Sequence, residues 1–181
     1  MTDKMTLLFV KKTGHVLAFV TRESDPETTP KPEELAGEAL LVRYAGDPKG
    51  DSFAKAQFLV SPDELAVEVK DFDDLVVTRP RDFYLDTEKK VVFASGVLPD
   101  VMAVGNSGIN VILPANVTAT TPVWIQVSRA DPTKTQIRKS DIDDTKNNTI
   151  LSLLPLDSGD HYVLALVAGY AAVVKKIYIH P

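Results

Sequence analysis

Cysteine is absent from this chain of 181 residues, which excludes a disulfide framework and any thiolate metal site. Long apolar runs are also missing. The longest nearly unbroken one, Tyr162 to Val174, has 13 residues including Gly169, whereas a membrane helix needs about 20. The start "MTDKMTLLFVKK" has an apolar patch only from Leu7 to Val10, too short for a secretion signal, so synthesis in the cytoplasm is expected. Basic excess is lacking throughout. Residues 1–105 carry 13 Lys and Arg against 19 Asp and Glu, and 106–181 carry 7 against 6, so nucleic acid is not an expected partner.

Catalytic signatures are scarce as well. There is no G-x-S-x-G elbow, no H-E-x-x-H and no glycine motif for nucleotides, so no catalytic residue and no cofactor is implied. The three histidines, His15, His161 and His180, fall beside a turn, at a strand entrance and next to the last residue. A shared site would need three remote regions to converge, and solvated turn histidines are the simpler expectation.

What the chain does have is twelve prolines between short apolar runs, the pattern of many strands joined by turns. "TLLFVKKTGHVLAFVT" (6–21) reads as a β-hairpin turning at Gly14. A proline-rich loop follows at 24–38, where Pro32 with Glu33 and Glu34 can start one helical turn. Strands are expected at 38–45, 55–60 and 65–72, then at "DLVVTRP", "DFYL" and "KVVF". "SPDELAVEV" also resembles a capped helix start. These runs predict an all-β chain with a β-rich domain over 1–104 and a second domain over 105–181. The boundary is placed at the "GNSG" turn, Gly105 to Gly108, and its apolar flanks predict packed domains. Strands of the second domain are expected at 109–113, 123–129, 135–139, 148–154, 161–168 and 171–179, the last two forming a hairpin at Gly169 and Tyr170.

Within that domain "LLPLDSGDHYVLALVA" resembles the fibronectin type III pattern and, more loosely, the immunoglobulin-like one: a leucine, a glycine turn and a tyrosine lead into the sixth strand. The resemblance covers Ile109 to Pro181. It implies a β-sandwich in which Tyr162 is the corner tyrosine, its hydroxyl bonded to backbone upstream, with Gly159 as turn glycine and Trp124 as core tryptophan.

Two acidic stretches remain. "DIDDTKNN" offers oxygen ligands for calcium at Asp141, Asp143 and either Thr145 or Asn147, but Lys146 and Ser152 stand where an EF-hand loop has glycine and glutamate, so a solvated turn is the main expectation. Asp63, Glu64, Glu68, Asp71, Asp73 and Asp74 would scatter over two faces of a strand rather than pair. The composition thus points to a non-enzymatic structural or interaction module with protein partners or self-association, such as a subunit of a phage or phage-tail-like particle. Alternatives are a carbohydrate-binding module using Tyr44, Tyr84 or Tyr170, and a metal-dependent hydrolase built on the acidic residues.

Overall fold

The computed structural model describes residues 3–22, 28–44, 56–129 and 135–180, and it is all-β. The chain order is β1 (Lys4–Val10), β2 (Val16–Arg22), α1 (Pro32–Ala36), β3 (Leu40–Tyr44), β4 (Ala56–Val60), β5 (Leu65–Asp71), α2 (Asp74–Thr78), β6 (Phe83–Leu85) and β7 (Val91–Phe93). There follow β8 (Asp100–Val104), β9 (Gly108–Ile112), β10 (Thr121–Ser128), β11 (Thr135–Ile142), β12 (Asn148–Ser152), β13 (Gly159–Val167) and β14 (Val173–Ile179). No helix among the described residues is long and apolar enough to cross a membrane.

From Asp100 onward the strands form an immunoglobulin/fibronectin III-like β-sandwich, with the sheet β12-β9-β8 facing the sheet β11-β10-β13-β14. The turn at which a boundary is expected, Gly105 to Gly108, lies inside one sheet of this sandwich. β8 pairs with β9 in an antiparallel hairpin across Gly105, whose φ of 59° makes the turn, so the first strand of the sandwich lies on the far side of it. "GNSG" was legible as a turn, but a turn within a hairpin and a turn between domains use the same residues.

Of the N-terminal strands, β2-β1-β5 form one sheet, β3-β4 a ribbon and β6-β7 a short hairpin. Gly14, with φ 76°, turns β1 into β2 as its sequence suggested. "DLVVTRP" is not a strand, however. Asp73 accepts a hydrogen bond from Leu75 N at 2.8 Å, an N-cap that commits Asp74–Thr78 to α2 and turns Val76 inward. "SPDE" makes a single 3-10 turn, Pro62–Glu64, capped by Ser61, and the chain returns to extended geometry at Leu65.

Three cores stack through the molecule. The sandwich interior packs Val123, Ile125 and Val127 of β10 and Val163, Ala165 and Val167 of β13 against Val101, Ile109, Val111 and Leu151 of the opposite sheet. The residues between them point the other way. Trp124, Leu164 and Leu166 join Leu8, Val10, Leu17, Val42, Phe58, Val60 and Leu65 in a central core shared with the N-terminal strands. A third core lies beyond β1, where Met5, Leu7 and Phe9 meet Val76, Phe83 and Leu85. Strands covered on both faces read as continuous apolar runs instead of alternating ones. The unbroken stretch "YVLALV" is therefore a two-sided strand.

Candidate functional site

The junction between the N-terminal strands and the sandwich gathers most of the buried polar groups. Glu64, at the end of the 3-10 turn, accepts from Trp124 Nε1 at 2.8 Å and from Lys139 Nζ at 2.9 Å, both on Oε2. Gln126, two residues along β10, donates from Nε2 to Leu59 O at 2.9 Å, and its buried Oε1 has no partner among the described residues. Trp124 is fully buried, on the face of β10 turned away from the sandwich interior. It is the wedge of the junction and offers no face for stacking on a sugar.

His15 closes the junction's other end. Its Nε2 lies 2.8 Å from Tyr170 O and its Nδ1 3.0 Å from Thr13 Oγ1. A carbonyl oxygen only accepts, so Nε2 carries the proton and Nδ1 of the neutral ring accepts from the threonine hydroxyl. Burial lowers its pKa from 6.5 to about 4, against the raising effect of hydrogen bonding to the backbone of Tyr170 and Thr13. The turn that His15 holds is gripped a second time, by Ser95 N donating to Gly169 O at 3.0 Å and Ala171 N donating to Ser95 O at 3.1 Å.

His161 is also buried, so the expectation of solvated turn histidines is corrected for both His15 and His161. On β13, His161 shares its face with Val163, Ala165 and Val167, and its Nε2 donates to Asp157 O, four residues upstream, at 2.9 Å. That is the bond expected of a corner tyrosine. Tyr162, the expected corner, faces the central core half-buried, with Lys176 opposite it on β14. Side chains alternate along a strand, so one residue decides which layer a ring enters. Gly159 opens β13 with φ 115°, and a Cβ there would lie 3.5 Å from the Arg129 guanidinium. His180 remains exposed, edge-on to Tyr178 at 5.0 Å.

In the calcium alternative Asp141, Asp143 and Asn147 each have a protein partner. Asp141 pairs with Lys12 at 2.6 Å, Asp143 with Lys146 at 2.6 Å, and Asn147 donates to Leu113 O at 3.1 Å. Thr145 holds the tight turn at φ 66°. Among the described residues no group of three or more His, Asp or Glu side chains could hold a metal ion. The second acidic stretch is divided too: Glu64 serves the junction, Glu68 pairs with Lys70 at 3.3 Å, Asp71 with Lys4 at 2.8 Å, and Asp73 caps α2. The Lys4 ammonium holds the Asp71 carboxyl below its ordinary range. Lys175 does the same to Asp100 by hydrogen bonding, tying the edges of the two sandwich sheets together.

Two surface features have the form of sites. A cleft of about 410 Å³ opens where the β1–β2 and β6–β7 turns meet the strand end before β10 and the β13–β14 turn, and Tyr84 lies on its wall. Tyr170 is half-buried beside it, while the side chain of Tyr44 lies outside the described residues. The second feature is the outer face of the sheet β12-β9-β8. Met102, Asn110 and Ile150 stand in one cross-strand row, with Val104, Gly108 and Ser152 in the next. A Cβ on Gly108 would lie 3.2 Å from Val104 Cβ and 3.7 Å from Ile150 Cγ2, so the missing side chain lets those two flank it closely.

No protein-family model matches the chain, and no curated protein matches it. Among solved structures it is similar to the chicken interferon gamma receptor alpha chain, with a TM-score of 0.35 and 10% identity over 100% of this chain and 87% of that one.

Proposed function

We propose that the protein is a non-enzymatic interaction module whose outer sandwich face docks on a protein partner or on a second copy of itself. The observation that carries this reading is the apolar patch on β12-β9-β8: Met102 and Ile150 are each about half exposed, at 50% and 55%, and Val104 is 42% exposed beside them. Val104 and Ile150 flank Gly108 and Met102 lies across Asn110 from Ile150, and exposed apolar side chains gathered on an outer sheet face are a mark of protein contact surfaces. The junction supports the same reading, because a Trp124 wedge, a neutral buried His15 and ion-paired carboxylates make a rigid frame for such a face. In this reading the N-terminal β unit and the sandwich are two units joined by one central core, and the chain, made in the cytoplasm, is a subunit of a larger assembly such as a phage or phage-tail-like particle.

Size-exclusion chromatography with light scattering, together with pulldown from the source cell, tests it. Wild-type protein is expected to self-associate or capture a partner, and a Met102→Lys/Ile150→Lys double variant to stay folded and lose that contact. A strict monomer with no partner overturns the reading. The carbohydrate alternative rests on Tyr84 at the cleft wall, and calorimetry against a glycan panel tests it.

A further inference from the structure

The cleft at the junction is lined by side chains that the apolar face does not use. Lys11, Lys12 and Lys89 reach it, and among the described residues Asp86 is the acidic member of its lining. Lys12 is neutralised by Asp141 at 2.6 Å, and Asp86 Oδ1 is taken by the backbone N–H groups of Glu88 and Lys90, each at 2.9 Å. Those hydrogen bonds do not cancel the Asp86 charge, so with Lys12 paired the two remaining lysines, Lys11 and Lys89, leave the lining at a formal net charge of +1. Lys11 Nζ donates to the backbone carbonyl of Asp63 at 2.9 Å, and Lys89 Nζ sits 4.9 Å from the centre of the Phe9 ring. Among the described residues neither has a carboxylate partner. On a chain of net charge −5 this is a local reversal of sign.

Lys89 is also in a costly conformation. Its φ of 61° is left-handed, at a turn position that glycine would occupy without steric penalty. The wall beneath it is rigid, since Leu85 N donates to Gly14 O at 2.9 Å and a Cβ on Gly14 would come within 2.1 Å of Leu85 O.

The geometry points to this cleft as the docking site for an acidic segment of a partner protein, with Lys11 and Lys89 each receiving a carboxylate and Tyr84 and Pro122 supplying the apolar floor. The occupant is a segment that enters with its side chains, because turns rather than an open strand edge line most of the cleft. The proposal rests on the interaction-module reading and adds a second contact of opposite chemistry to the apolar face.

Amide chemical-shift mapping of the whole chain with a hexaglutamate peptide tests it, with citrate as the second probe. Hexaglutamate is expected to shift the amides of Thr13, Thr87 and Gly169, and to bind severalfold more weakly as salt rises from about 0.02 M to about 0.2 M. Lys89→Gly removes the ammonium and the left-handed penalty together, so it is expected to keep or raise Tm while weakening hexaglutamate about threefold to fivefold, and Lys89→Arg to retain it. Lys11→Gln adds a loss of similar size. Response to citrate without hexaglutamate, response to neither, or equal binding by Lys89→Gly overturns the proposal. A partner that binds wild type and Lys89→Gly alike, yet is lost from Met102→Lys/Ile150→Lys, removes the cleft and leaves the interaction reading standing.

Discussion

Trp124 donates its indole N–H to Glu64 Oε2 at 2.8 Å, so a residue of the sandwich and a residue of the 3-10 turn before β5 share one part-buried hydrogen bond across the junction. Glu64→Ala leaves that donor unpaired and is expected to cost about 1–3 kcal/mol. Glu64→Gln keeps an acceptor and costs less. Urea denaturation, followed by Trp124 fluorescence, checks both.

Because Trp124, Leu164 and Leu166 are covered by the N-terminal strands, an isolated fragment of residues 100–181 exposes all three on one sheet face. It is expected to aggregate or to bind hydrophobic dyes, where the whole chain does not. Light scattering of the fragment beside the full chain decides this.

His15 gives stability a pH slope. The folded protein keeps the ring neutral until about pH 4, whereas the unfolded chain protonates it near 6.5, so protons favour the unfolded state between these values. Stability is full above pH 6.5, falls as pH drops toward about 4 and loses no more through this group below it. The gap is worth about 3 kcal/mol. In His15→Gln, thermal melts across that window are expected to lose most of the slope.

The corner of the sandwich distinguishes two adjacent rings. His161→Ala removes a buried ring and its bond to Asp157 O and is expected to cost about 2–3 kcal/mol. Tyr162→Phe removes a hydroxyl from a half-buried ring and is expected to stay within about 0.5 kcal/mol. Equal losses in chemical denaturation would contradict the assignment of the corner to position 161.

Two turns respond oppositely to glycine. Gly14→Ala forces a side chain into left-handed backbone and onto Leu85 O, and is expected to cost about 3 kcal/mol or more. Lys89→Gly relieves the same kind of backbone and is expected to raise Tm slightly. Calorimetric melts check the pair.

Composition and periodicity determined the all-β class, the turns at Gly14, Gly105 and Gly169, and most sandwich strands to within a few residues, because turn chemistry and strand period are local properties of the chain. The place of β8, the strand expected over "DLVVTRP" and the corner at Tyr162 were decided elsewhere. β8 belongs to the sandwich through hydrogen bonds to β9, which no local signal encodes. α2 follows from one cap at Asp73, whose aspartate suits a loop equally well. Neither Trp124 nor Tyr162 could be assigned to a layer from sequence. Where a strand is apolar on both sides, its pattern carries no phase, and only the packing of β1, β3 and β4 against one face settles which side is inside the sandwich and which is the junction.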